Sequence, residues 1–156
     1  MRKIVLSCLS HAAAIAIGFA AGIYVLPILI APAGPASTEV QSLQGQARFK
    51  GEFRRDLKGS DLLHWGEGTV SLSKEVISHM GRLAPGPDYK LYLVPEFVDS
   101  RDAFLKLKAS ALRVGDIKTF DNFIVPLSAG ADPEKFNTVL VWCETFSMFI
   151  TAAKYR

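Results

Sequence analysis

The chain has 156 residues and a formal net charge of +3, room for one domain. Its first 38 residues hold two bases, Arg2 and Lys3, and no acid; the remaining charges nearly balance, so no basic surface is offered and no nucleic acid is expected as a partner. At 49% hydrophobic, 21% charged and two cysteines, the composition excludes both a disordered chain and a disulfide scaffold.

The first element is apolar. Ile4 to Ile30 carries no charge over 27 residues, and a transmembrane helix needs about 20. Pro27 is expected to end or kink the helix, leaving Ile4–Leu26 as the span. Gly18 and Gly22 stand at G-x-x-x-G spacing, which lets helices approach closely. The bases at the tip and the uncharged stretch behind the helix predict a single-pass anchor with a cytoplasmic N-terminus. The rest is then exported to the periplasm or the cell exterior. A cleaved signal peptide ending near Ala31-Pro32-Ala33 is the rival reading. The apolar run is longer than the 7–15 residues of a signal core, which favours the anchor. His11 lies within this span.

Residues 31–44 are rich in Pro, Ala, Gly and Ser and read as a flexible linker. Residues 45–156 hold most of the aromatics and frequent breakers, the pattern of short strands joined by turns. Candidate strands are Gln46–Phe53, His64–Leu72, Tyr89–Val94, Phe120–Pro126, Asn137–Cys143 and Ser147–Ala153. In Tyr89–Val94 the residues Tyr89, Leu91 and Leu93 share one face. Pro85-Gly86-Pro87-Asp88 predicts a turn. Asp132-Pro133 predicts the cap and first position of a helical turn. Asp99–Leu112 fits neither period and reads as an irregular excursion, with a short helix capped by Asp99 or Ser100 as the alternative. Phe120, Phe123, Phe146 and Phe149 read as core packing. The predicted fold class is all-β: an antiparallel β-sandwich or partly open barrel behind one N-terminal transmembrane helix.

An ordered set of short pieces runs through residues 45–156. It comprises Gly51-Glu52-Phe53, His64, Gly68-Thr69-Val70, Gly86-Pro87-Asp88, Leu91-Tyr92-Leu93, Gly115-Asp116-Ile117-Lys118 and Phe123-Ile124-Val125-Pro126. It ends in Phe136-Asn137-Thr138-Val139-Leu140-Val141-Trp142-Cys143-Glu144-Thr145-Phe146, followed by Phe149 and Ala152. This order resembles the DM-thirteen domain, an extracellular or periplasmic β-rich domain that also occurs beside DOMON domains. Phe136 stands where many members have Tyr, and the segment Arg113–Phe123 is short beside the glycine-rich loop of animal members. The resemblance implies a redox or electron-transfer role centred on the cysteine matching Cys143. The partners of that redox reading are an envelope protein or a haem centre; a binding-module reading would take a protein or glycan of the envelope. The resemblance names no cofactor.

Cys143 is the one thiol of the exported part, so no disulfide within the domain is open to it. Strand alternation puts it on the face of Val139 and Val141, the expected core, where a thiol behaves as a small hydrophobe with a raised pKa. Its exposure is open at this point, since it also ends its strand. His64, expected at the start of a strand, is the second candidate; beside Cys143 it could activate the thiol or hold a soft metal. His79, in Ser78-His79-Met80-Gly81, is the weaker candidate: a His/Met pair in a loop suits copper or haem. His64 and Glu67 resemble H-x-x-E, but strand alternation sends them to opposite faces. No C-x-x-C, G-x-S-x-G or H-E-x-x-H is present, no metal site is read, and no catalytic constellation marks an enzyme. Two functions remain: a membrane-anchored extracytoplasmic redox domain using Cys143, or a non-catalytic binding or structural module with Cys143 in its core.

Overall fold

The computed structural model describes residues 1–156. Helix α1 spans Arg2–Ile30. It has the length and composition to cross a membrane, and almost none of its apolar window is buried in the protein. Pro27 does not end it; the helix runs on for three residues, and Pro27 is buried. The last turns of α1 lean on one end of the domain, where Leu26, Pro27 and Ile30 line a recess of about 440 Å³ with Gly86, Asp88 and Lys90.

Helix α2, Ser37–Gly45, corrects the expectation of a flexible linker over residues 31–44. Val40 is fully buried. Asn122 Nδ2 donates to Pro35 O at 3.4 Å and to Ser37 Oγ at 3.2 Å. A Cβ on Gly34 would stand 2.8 Å from Asn122 O, so the chain passes closer there than any other residue allows. The breaker-rich composition describes the turn into α2, and a single apolar residue docks the helix.

Eight strands follow: β1 (Phe49–Phe53), β2 (Gly66–Leu72), β3 (Val76–Leu83), β4 (Tyr89–Val94), β5 (Leu112–Ile117), β6 (Phe123–Pro126), β7 (Thr138–Cys143) and β8 (Met148–Lys154). They form two four-stranded antiparallel sheets, ordered β1-β2-β3-β6 and β5-β4-β7-β8. The two sheets make a sandwich, not a barrel. Between them lies a core of 17 residues drawn from both, including Val70, Ile77, Leu91, Val141 and Ile150. The alternation in β4 is as the sequence predicts: Tyr89, Leu91 and Leu93 face this core.

The outward residues Tyr92 and Val94 of β4 and Leu140 and Trp142 of β7 are also buried, and a second cluster explains why. Helix α3, Arg101–Leu107, lays Phe104 against Tyr92 and Trp142, with ring centroids 5.2 and 4.8 Å apart. The excursion at Asp99–Leu112 is thus a helix, a 3₁₀ turn at Lys108–Ser110 and the start of β5. Strands β3 and β5 carry no strand expectation. In β3 a histidine and a glycine hold core-facing positions, which hides the two-residue period. Asp132 caps the 3₁₀ turn Pro133–Lys135 by accepting from Glu134 N at 3.0 Å, as predicted.

Candidate functional site

Cys143 is the last residue of β7. It is paired with Tyr89 in β4 and with Met148 in β8, and only 3% of its surface is exposed. It belongs to the inter-sheet core together with Val139 and Val141. Burial pushes its thiol pKa up and the Asp88 carboxylate adds to this, while backbone groups of Phe146, Asp88 and Thr145 offset part of it. The thiol is therefore protonated at neutral pH, and a base must help it to react. Glu144 is no burden on it. Its side chain turns to the opposite face of the sheet, where it accepts from the Tyr92 hydroxyl and, at 2.6 Å, from Lys108 Nζ.

His64 stands in the loop before β2 and not in the strand, which begins at Gly66. Asp61 holds it. The ring Nδ1 lies 2.9 and 3.0 Å from the two carboxylate oxygens, and Asp61 also accepts from the backbone N–H groups of Leu63 and His64. Partial burial pushes the Asp61 carboxyl up, but the bonds from His64 and from the backbone outweigh it and leave its pKa below the usual value. An ionised carboxylate only accepts, so Nδ1 carries a proton toward it, and in the neutral ring the lone pair is on Nε2.

The fold brings these two candidates together. Cys143 and His64 line one half-open cavity of about 180 Å³, with Tyr89, Phe146 and, from α1, Ile23 and Tyr24. The Tyr89 hydroxyl donates to Ala84 O at 2.7 Å. Burial raises its pKa, and Cys143 and Tyr24 both act on it electrostatically, in keeping with their closeness. Sequence reasoning missed Asp61, Tyr89 and Tyr24. The Asp61-x-x-His64 spacing just before a strand was a usable signal for the first. No local signal marks the tyrosines, which arrive from β4 and from the helix. Phe146 also departs from expectation: it is 47% exposed at the cavity rim and not part of the core.

His79 is not a loop residue. It lies in β3, fully buried, with its ring centroid 4.8 Å from that of Phe123 and 5.2 Å from that of Phe53. Met80 is its neighbour along the strand and so points to the other face, which dissolves the expected His/Met pair. A carbonyl can only accept, so Nε2 carries the proton that it shares with Glu67 O at 3.1 Å; Nδ1 has no partner. Gly81 makes room for this bond, because a Cβ there would stand 2.0 Å from Glu67 O and 2.8 Å from Nε2. Burial lowers the His79 pKa to about 4, against the raising effect of the Glu67 and Asp121 backbone. It is a neutral core residue.

A two-sheet antiparallel sandwich with one buried thiol lining an end cavity, carried behind a long apolar helix, defines a single-cysteine β domain. The family model described as electron transfer DM13 matches residues 48–155, and the chain belongs to that family. No curated protein and no solved structure matches it. The family description suggests a redox link. No three His, Cys, Asp or Glu side chains converge as a metal would require. The Cys143 cavity, at about 180 Å³, lies below the roughly 300–1,000 Å³ of sites that enclose a large ligand.

Proposed function

We propose that the chain is a membrane-anchored extracytoplasmic domain that relays electron pairs through Cys143 between thiols and disulfides of envelope proteins. The observation that carries this reading is the convergence of the domain's one thiol and the Asp61-oriented imidazole of His64 on one cavity. Family membership supports the redox part. The basic tip before the uncharged helix supports the orientation.

In the first step His64 Nε2 takes the proton of Cys143, and Sγ attacks one sulfur of a partner disulfide. The partner S–S bond breaks, a mixed disulfide with Cys143 forms, and the departing thiolate takes the proton back from His64. A thiol of a second envelope protein then attacks the partner's sulfur in the mixed disulfide and releases Cys143. That second protein must supply the resolving thiol, since Cys8 lies near the N-terminal end of α1, far from Cys143.

One observation favours a second reading. Cys143 is 3% exposed inside a 17-residue core, as in a structural module whose thiol only packs. Iodoacetamide labelling of the detergent-solubilised full chain, mapped to Cys143 by peptide mass, separates the two. The redox reading expects labelling of the folded protein that speeds up with pH through a midpoint above the ordinary thiol value, and slower labelling in His64→Gln. Labelling that waits for unfolding overturns it and leaves the structural module.

A further inference from the structure

Three large apolar side chains stand out of the domain at the end where α1 joins it. Leu62 is 93% exposed, Leu63 54% and Phe146 47%. They come from two separate segments, the loop before β2 and the turn between β7 and β8. Neither is a loose end. Asp61 accepts from the Leu63 and His64 backbone N–H groups, and Ala84 N donates to Trp65 O at 2.9 Å. The Arg55 guanidinium covers the Trp65 ring and pairs with Glu67 at 2.7 and 2.9 Å. The turn is closed by Ser147 N donating to Glu144 O and is tied to Asp88, the residue before β4, by Glu144 N donating to Asp88 O. Exposed leucines on a pinned loop are held out for contact.

The helix identifies what they contact. Leu63 and Phe146 share the Cys143 cavity with Ala20, Ile23 and Tyr24 of α1. A hydrocarbon layer of about 30 Å entered at Ile4 takes about 20 residues at about 1.5 Å each, which places its far boundary near Ile23. Tyr24 then sits at headgroup level, where tyrosines gather. Domain residues packed around Ala20 and Ile23 are at the same depth. We propose that Leu62, Leu63 and Phe146 enter the outer leaflet of the bilayer that α1 crosses, docking this end of the sandwich flat on the membrane. The Cys143 cavity then opens at headgroup level, and whatever reacts there is itself held at the membrane. This rests on the anchored reading of α1.

The test uses the full chain in phosphatidylcholine nanodiscs, with and without bromine on the acyl chains. Leu62→Trp reports from the docking end. Lys74→Trp reports from the β2–β3 turn at the opposite end, and the unsubstituted chain supplies the background of Trp65 and Trp142. Interfacial side chains sit about 5–10 Å into the headgroup and acyl boundary. Bromolipid is therefore expected to quench the Leu62→Trp emission about twofold more than that of Lys74→Trp, with acrylamide showing the reverse order. Phe146→Trp gives the same answer from the second segment. Equal quenching at the two ends, in a chain that alkaline carbonate does not extract, overturns the docking and leaves the anchor intact. Extraction by carbonate overturns the anchor and the docking with it.

Discussion

Tyr89 and Cys143 are ladder partners across β4 and β7, both on the core side of their sheet and both at the end of the sandwich that meets α1. The pairing sets the chemistry of the site. A slip of one residue would bring Trp142 to the core and carry Cys143 to the face covered by α3. Register therefore makes the thiol a cavity residue.

Because Cys143 packs in the core, replacing it tests packing separately from reactivity. Cys143→Ser puts a hydroxyl in an apolar site and is expected to lower unfolding stability by about 1–2 kcal/mol. Cys143→Ala is expected to cost about 1 kcal/mol and to abolish the domain's labelling equally. Urea denaturation of both variants checks the order.

Asp61 couples the loop to acid. Its carboxyl titrates below the usual value in the folded protein, so its stabilising effect is complete at pH values above the ordinary carboxylate range. It is lost as pH falls through the lower folded value. Asp61→Asn is expected to have a lower thermal midpoint than the parent at pH 7 and to lose less of it between pH 5 and pH 3. A pH series of melting curves reads this.

His79 predicts a second acid transition with a different cause. The folded ring holds no proton until about pH 4, while the unfolded ring takes one near its ordinary 6.5. The unfolded state binds more protons in that window, so stability falls as pH drops from about 6.5 to 4. The full loss is about 3 kcal/mol. Unfolding free energies at pH 7 and pH 4.5 should differ less in His79→Phe than in the parent. A His79 ring that titrates near 6.5 in NMR spectra of the folded chain would show the burial argument to be wrong.

Phe104 is fully buried between Tyr92 and Trp142 and holds α3 on the outer face of its sheet. Phe104→Ala is expected to cost about 3–5 kcal/mol. It should leave the Cys143 labelling rate nearly unchanged, because the cluster lies on the other side of the sheet. Denaturation and labelling of the same sample check both halves.

The anchored reading predicts an uncleaved chain. The N-terminal peptide of protein purified from membranes should begin at Met1 or Arg2, by mass spectrometry. A peptide that begins after Ala33 would make the helix a signal sequence.

Some of this protein was legible along the chain because it depends on short-range pattern. An uncharged run of 27 residues predicts a helix long enough for a bilayer wherever it is placed. Alternation in Tyr89–Val94 and Asn137–Cys143 marks the core face and puts Cys143 on it, but its exposure at the strand end was settled only by the packing around it. The ordered pieces from Gly51 to Ala152 pointed to the family. Other parts needed tertiary structure. His79 looks like a loop histidine until Phe53 and Phe123 close on it, and β3 is hidden because a histidine can fill a core position only where such partners exist. Residues 31–44 look flexible until Val40 finds a surface to bury against. The neighbours of Cys143 come from a loop, a strand and a helix separated by tens of residues. Local periodicity carries no information about which strand ends meet. Sheet pairing and the packing of α1 on the sandwich bring them together, and so they alone determine that His64, Tyr89 and Tyr24 surround the thiol.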